Sequence, residues 1–282
     1  MIILVLIVFG LISGSFINAV VWRLHEQSVV QKSTHKKTDY INKLSIIHGR
    51  SMCPVCKHKL AAKDLVPLFS WLGLLGKCRY CHSSISKQYP IVEMVTALLF
   101  VISYVFWPQN WAFQSVSQFV FWLIILVGLI GLSVYDIRWY ILPNKIVYPL
   151  FVIVATDILL RIVFYSGGKN LLISTLWGLV IGGGVFWVLH IFSKGNWIGG
   201  GDVKLGSVLG LLLGGPLDAM LLIFLASLGG SIVSIPLLAT QRIKKNAHLP
   251  FGPFLVFSAI VLQLFGASLI KWLQLRGVLP VY

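Results

Sequence analysis

Apolar runs recur along almost the whole chain, and polar positions gather between them. The first run covers about residues 2–22. A polar block follows at 23–90, and further runs lie at about 89–107, 114–135, 143–164, 171–193, 203–214, 217–239 and 252–274. About 20 apolar residues wound as a helix span the hydrocarbon of a bilayer, so the pattern predicts an all-α polytopic membrane protein of about eight transmembrane segments. The sixth run, closed by Gly214-Gly215-Pro216, is short for a full span and reads as tilted, broken or half-inserted. The first run has no basic n-region before it and no A-x-A site after it, so it reads as a retained helix and not a signal peptide. Residues 26–46 carry no motif and read as a mobile linker.

Composition agrees. Of 282 residues 57% are hydrophobic and 11% charged, with mean hydropathy +0.89, which excludes a soluble globule. The net charge of +15 does not indicate nucleic acid, because the basic residues flank apolar runs and form no face interleaved with stacking aromatics. They read as topology signals and contacts to anionic membrane lipid, with substrate attraction as the alternative. The 23–90 block holds 12 Lys+Arg against three acids, Glu26, Asp39 and Asp64. Placing it in the cytoplasm and alternating outward puts 19 basic residues inside, among them Arg138, Lys145, Lys194, Lys204, Arg242, Lys244 and Lys245, and 4 outside. Both termini then fall outside.

All four cysteines sit in the polar block, as Cys53-x2-Cys56 and Cys78-x2-Cys81 separated by 21 residues. Paired CxxC units near this spacing are the pattern of a tetrahedral zinc site, and a reducing compartment disfavours the alternative of structural disulfides. Four thiolates fill zinc's coordination shell, so the metal is read as structural, folding a module too small for a sufficient apolar core. His58 and His82, close to the cysteines, are read as surface residues.

Two aspartates stand at the edges of apolar runs. Asp136 lies in Val134-Tyr135-Asp136-Ile137-Arg138, and Asp202 lies 66 positions later behind Gly199-Gly200-Gly201 and before Val203-Lys204. Ionisable groups at membrane depth are costly and face a bundle interior or a water-filled cavity, and the topology puts both at the cytoplasmic ends of their segments. Carboxylates at one depth can meet, share a proton and act as base toward a water and acid toward a scissile carbonyl. The alternative is that each only caps a helix, with Asp202 at an N-cap. Gly199 and Gly201 let backbone bend and approach a neighbour. Arg138 or Lys204 would tune the pair's coupled titration. Pro250, Gly252 and Pro253 interrupt the approach to the last run, either as loop-to-helix punctuation or by presenting backbone groups to an extended substrate. Asp157, mid-segment, is read as paired within the bundle, and Asp218 falls at the outer side. Asn18 is read as a helix–helix hydrogen bond or part of the active-site wall, His190 as packed or interfacial. Gly182-Gly183-Gly184 is read as a close helix contact or a source of flexibility.

These residues resemble the type IV prepilin peptidases, polytopic membrane aspartyl proteases of the GxGD type. The resemblance runs from Gly14-Ser15-Phe16-Ile17-Asn18 with Arg23, through Gly49-Arg50-Ser51-Met52-Cys53-Pro54-Val55-Cys56 and Gly76-Lys77-Cys78-Arg79-Tyr80-Cys81, to Gln88-Tyr89-Pro90-Ile91-Val92-Glu93. It continues in Asp136 with Leu142-Pro143-Asn144, in Gly199-Gly200-Gly201-Asp202-Val203-Lys204-Leu205, and in Pro250-Phe251-Gly252-Pro253. Where the family often has proline two residues after the arginine, this chain has His25. The resemblance implies cleavage of the basic leader from prepilins or pseudopilins after a glycine, on the cytoplasmic side of a bacterial inner membrane, with Asp136 and Asp202 as the catalytic pair. It also implies S-adenosylmethionine-dependent N-methylation of the new N-terminus, with Glu93 as a candidate to hold the amino group, although residues 23–90 contain no Gly-rich nucleotide fingerprint. The expected organisation is a first helix at 1–22, a cytoplasmic zinc domain at 23–90 and a protease bundle at 91–282. The rival readings are a proton- or cation-coupled transporter with a regulatory zinc domain, which lacks internal symmetry between halves, and a non-catalytic assembly factor.

Overall fold

The computed structural model describes residues 1–32, 44–46, 49–164, 168–240 and 249–276. Nine α-helices form among them: α1 (Ile2–Lys32), α2 (Phe69–Gly73), α3 (Gln88–Val105), α4 (Phe113–Trp139), α5 (Asn144–Phe164), α6 (Gly168–Phe192), α7 (Gly200–Leu213), α8 (Pro216–Ala239) and α9 (Gly252–Leu275). All but α2 and α7 are long and apolar enough to cross a membrane. The expected sixth segment is α7, whose 14 residues extend only about 21 Å. Gly214 in the left-handed region at φ +78° ends it, and Pro216 opens α8. Arg242, Lys244, Lys245 and the centre of the expected 26–46 linker lie outside the described residues.

The chain divides into two compact units, residues 1–105 and 106–282. In the first, α1 runs ten residues past the expected end at 22. No glycine or proline interrupts the chain between Gly14 and Gly49, and the polar residues of the extension have partners. Arg23 Nη1 donates to the carbonyls of Ser45 (3.1 Å) and Ile46 (3.2 Å), and Gln27 Nε2 to that of Leu44 at 2.9 Å. Lower down, α1 lies against α3 through Gly10 and Gly14. A Cβ on Gly10 would stand 2.5 Å from Ala97 Cα, and one on Gly14 2.6 Å from Glu93 Cα. Two glycines four apart form the small-residue stripe that lets membrane helices approach where the hydrophobic effect supplies no drive between them. Asn18 fixes the register, donating to Tyr89 O (3.1 Å) and accepting from Gln88 Nε2 (3.3 Å).

The second unit is built on α4, whose Trp122, Ile125, Leu126, Leu129 and Leu132 are fully buried. Helix α7 packs most extensively on α6, through two reciprocal glycine pairs. A Cβ on Gly182 would stand 2.5 Å from Gly206 O, and one on Gly210 would overlap the Gly178 carbonyl. Gly182 and Gly183 thus make a close helix contact, whereas Gly184 faces open space. Asp157 is buried and ion-paired with Arg161 one turn along α5. We expect Gly210→Val to lower the unfolding temperature of the solubilised protein markedly, since overpacking costs about 1–3 kcal/mol or more. Gly184→Val, with nothing within 4 Å of its Cβ, should leave that temperature nearly unchanged in the same thermal scan.

Candidate active site and metal centre

Asp136 is buried in the last turn of α4. The helix stops at Tyr140, whose left-handed φ of +57° turns the chain and whose N–H donates to Asp136 O at 2.8 Å. Leu142-Pro143 then leads into α5. Asp202 is the third residue of α7, one turn inside the N-cap position foreseen for it, because Gly199 is the N-cap. It reaches back so that Gly199 N–H donates to Asp202 Oδ2 at 3.2 Å, half of a capping box. Asp136 is held in a parallel way: Gly252 N–H, the first of α9, donates to Asp136 Oδ2 at 2.9 Å. Each carboxylate therefore takes an unpaired N–H from the start of a helix, where the helix dipole favours negative charge.

The two carboxylates also feel one another. Burial and the neighbouring Asp136 charge push the Asp202 carboxyl up to about 6, against the Gly199 hydrogen bond, which lowers it. Leu142 fills the space between the two helix starts. A Cβ on Gly201 would lie 3.0 Å from Leu142 Cβ, and Leu142 Cδ2 is 3.5 Å from where a Cβ of Gly252 would stand. Of the three consecutive glycines, Gly201 is the one whose missing side chain the packing uses. Gly199 has an ordinary extended conformation, φ −71° and ψ 149°.

The expected tuning cations have other partners. Lys204 Nζ donates to Asn144 Oδ1 at 2.8 Å and lies 5.5 Å from the Tyr148 ring centroid, so it ties α7 to α5. Arg138 is exposed, 5.5 Å from the Trp139 ring centroid. Pro250 precedes the α9 start, and Phe251 packs edge-on to Phe186 of α6 with centroids 5.8 Å apart. Two residues have roles that the sequence did not reveal. Leu142 is the wedge just described. His190 Nδ1 lies 2.8 Å from Ile198 O and holds the turn that delivers Gly199 and Asp202; an isolated histidine in an apolar run gives no local sign of that. Because a Cβ on Gly252 would sit 2.6 Å from Asp136 Oδ2, Gly252→Ala must displace that carboxylate. A misplacement of about 1 Å costs roughly a hundredfold, so we expect kcat of any turnover that uses this carboxylate to fall by that order with KM little changed, in steady-state kinetics.

In the first unit, the two CxxC segments are near copies. Cys53 N–H donates to His58 O (3.0 Å) and Lys57 N–H to Cys53 O (3.0 Å), while Cys78 N–H donates to Ser83 O (2.8 Å) and His82 N–H to Cys78 O (2.9 Å). Antiparallel bridges Met52–Lys59 and Lys77–Ser84 close the two turns. Lys57 and His82, each following the second cysteine of its pair, take φ of +57° and +55°. All four sulfur atoms lie within 4.8 Å of one another, with Cys53 and Cys81 Sγ 3.8 Å apart. A tetrahedral ion with bonds of about 2.3 Å to sulfur requires sulfur separations of about 3.8 Å, so this donor set fits a four-thiolate metal. His58 stacks on Tyr80 with centroids 3.8 Å apart, and neither it nor His82 belongs to the cluster. Asp64 accepts from Arg79 Nε (2.7 Å) and Tyr80 Oη (3.2 Å), joining the single-turn helix Ala62–Asp64 to the second knuckle.

Glu93, on the second turn of α3, is buried. It accepts Leu68 N–H at 2.7 Å and a hydrogen bond from Ser15. Its observed partners are thus a backbone amide and a hydroxyl.

Comparison with known proteins gives the same order of parts. Residues 8–107 match the bacterial peptidase A24 N-terminal domain, and residues 123–235 match the type IV leader peptidase family. A prepilin leader peptidase/N-methyltransferase of Stutzerimonas stutzeri is 32% identical, covering 92% of this chain and 89% of its own. One from Pseudomonas aeruginosa is 30% identical over 96% and 93%, and the type 4 prepilin-like proteins leader peptide-processing enzyme of Escherichia coli is 32% identical over 89% of each. No solved structure matches. With both halves matched in order and relatives aligned over nearly their whole length, the chain is a member of the type IV leader peptidase family.

Proposed function

We propose that this protein is a multi-pass inner-membrane enzyme that removes the leader peptide from type IV prepilins or pseudopilins and N-methylates the new N-terminus. The observation that carries the peptidase reading is the pair Asp136 and Asp202, each fixed through one oxygen by a helix-start N–H and coupled electrostatically. The second oxygen of each remains to hold a water and the scissile carbonyl. Sharing one proton, one carboxylate takes a proton from the water as its oxygen attacks the carbonyl carbon, and the other protonates the carbonyl oxygen. Collapse of the tetrahedral adduct breaks the C–N bond, and the leaving amine takes a proton from the pair. Family membership favours this reading over a transporter.

The excess of basic residues in the 23–90 block supports a cytoplasmic location for that block and for both aspartates, where the flanking cations would meet anionic lipid. Zinc is the ion we assign to Cys53, Cys56, Cys78 and Cys81; with four protein ligands it has no open position for water and acts structurally. S-adenosylmethionine would supply an electrophilic methyl group to the freed amine. Glu93 is the candidate for orienting that amine, in exchange for its bond to Leu68. The test is enzyme reconstituted in lipid, given a prepilin and labelled S-adenosylmethionine, with mature pilin in parallel. Mass spectrometry should show loss of the leader and label on the new N-terminus; retention of the uncut precursor by folded enzyme with its metal bound would sink the proposal.

A further inference from the structure

The cysteine-bearing module is polar, yet one edge of it is apolar and exposed: Leu65, Val66, Phe69, Leu72 and Leu75, with Phe69 67% and Leu75 85% exposed. Exposed apolar side chains gathered in this way mark an interaction surface. Two of them, Phe69 and Leu72, are three apart on α2 and so share a helix face. Trp71 points the other way. Its Nε1 donates to Ile85 O at 3.3 Å, and its ring lies 3.0 Å from where a Cβ of Gly76 would stand, so the short helix is pinned to the second cysteine knuckle from behind.

A backbone hydrogen bond ties this edge to α3. Leu68, held at φ +62° between Pro67 and α2, donates its N–H to Glu93 Oε2 at 2.7 Å. Glu93 is the sixth residue of the membrane-spanning α3, about 7.5 Å along it from Gln88, and helical side chains lean back toward the N-terminus. Leu68 therefore lies level with the first turns of a span whose outward residues, Ile91, Met94, Val95 and Leu98, are exposed for lipid. Lys63 and Lys77, each two positions from an end of the edge in sequence, and Lys87, which directly precedes α3, are exposed and suited to anionic headgroups.

We propose that the Leu65–Leu75 edge is a membrane-seating face, which inserts Phe69, Leu72 and Leu75 into the headgroup–acyl boundary beside α3 and keeps the metal-binding module flat on the bilayer. An apolar face flanked by lysines, held at interfacial depth, has the features of an interfacial amphipathic element. In this arrangement the buried Glu93 is the tether that holds the seat at the correct depth for as long as it keeps its bond to Leu68.

The test uses the full-length, metal-loaded protein in nanodiscs of phosphatidylethanolamine and phosphatidylglycerol, at one chain per disc so that a second copy cannot cover the face. A fluorescent amino acid is placed by amber suppression at Phe69, at Leu72, or at exposed Lys59 in the first knuckle, and only samples retaining one metal per chain are compared. With nitroxide-labelled lipids the 69 and 72 probes should lose roughly half of their emission or more, and aqueous iodide should quench them several-fold less than the Lys59 probe, as interfacial burial demands. Glu93→Gln, which keeps an acceptor for Leu68, should preserve this, and Glu93→Ala should weaken the lipid quenching. Equal iodide quenching at all three sites would overturn the proposal. So would protection of the 69 and 72 probes that arises only when a prepilin is added, which would make the face a substrate seat.

Discussion

Asp136→Asn and Asp202→Asn are each expected to lower kcat for leader removal by on the order of a thousandfold or more, the scale of losing a positioned general acid or base. The substitution isolates chemistry from shape. Gly252 N–H needs only an acceptor at residue 136 and Gly199 N–H only one at residue 202, which the Asn carbonyl supplies. What is lost is the ability to take or hold the shared proton. Initial rates in lipid vesicles check this, and a variant cutting at close to the wild-type rate would rule out the two-aspartate mechanism. Methylation of a mature pilin should survive in both variants, because Glu93 and the cysteine module belong to the other compact unit.

The same substitution carries a stability signature. The Asp202 carboxyl titrates near 6 in the folded protein against an ordinary value of 3.8, so folding favours the protonated form. The ionised form thus weighs against the folded state, increasingly as pH rises from about 4 to about 6 and by a constant amount above that. Asp202→Asn removes the penalty. Its unfolding temperature relative to wild type should rise across that window and then level off; a difference that shrinks with rising pH would contradict the coupled pair.

The second large effect concerns the four thiols. Cys78→Ser, or treatment with a strong chelator, should strip the metal and unfold the module, since structural zinc contributes about 10–16 kcal/mol to folding of such sites. Cys53 and Cys78 are buried, so bare thiols there would leave a small module with little else to hold it. Metal analysis should fall from one ion per chain to nearly none, and limited proteolysis should cut between residues 49 and 87. A reductant without chelator should do neither. If the reductant opened the module and the chelator did not, the cysteines would be disulfide-bonded and the metal assignment wrong.

The sequence by itself determined the helices, the thiol donor set and the two aspartates. Hydrocarbon leaves an apolar run of that length few options besides helix, and the CxxC spacing leaves little freedom in how two thiols converge. It foretold the break at Gly214-Gly215-Pro216, because left-handed backbone followed by proline cannot continue a helix. Tertiary structure decided what depends on residues far apart in the chain. That Gly252 donates to Asp136 across 116 positions, that Leu142 wedges between two helix starts, and that His190 holds the turn before Asp202 are facts of packing with no local periodicity. Lys204 adjoins Asp202 in sequence, yet its flexible side chain carries Nζ to Asn144, sixty positions away. Glu93 is the same kind of case. The sequence places a carboxylate at the mouth of α3, and only the fold brings Leu68 to it, because a buried carboxylate must find donors wherever the chain presents them.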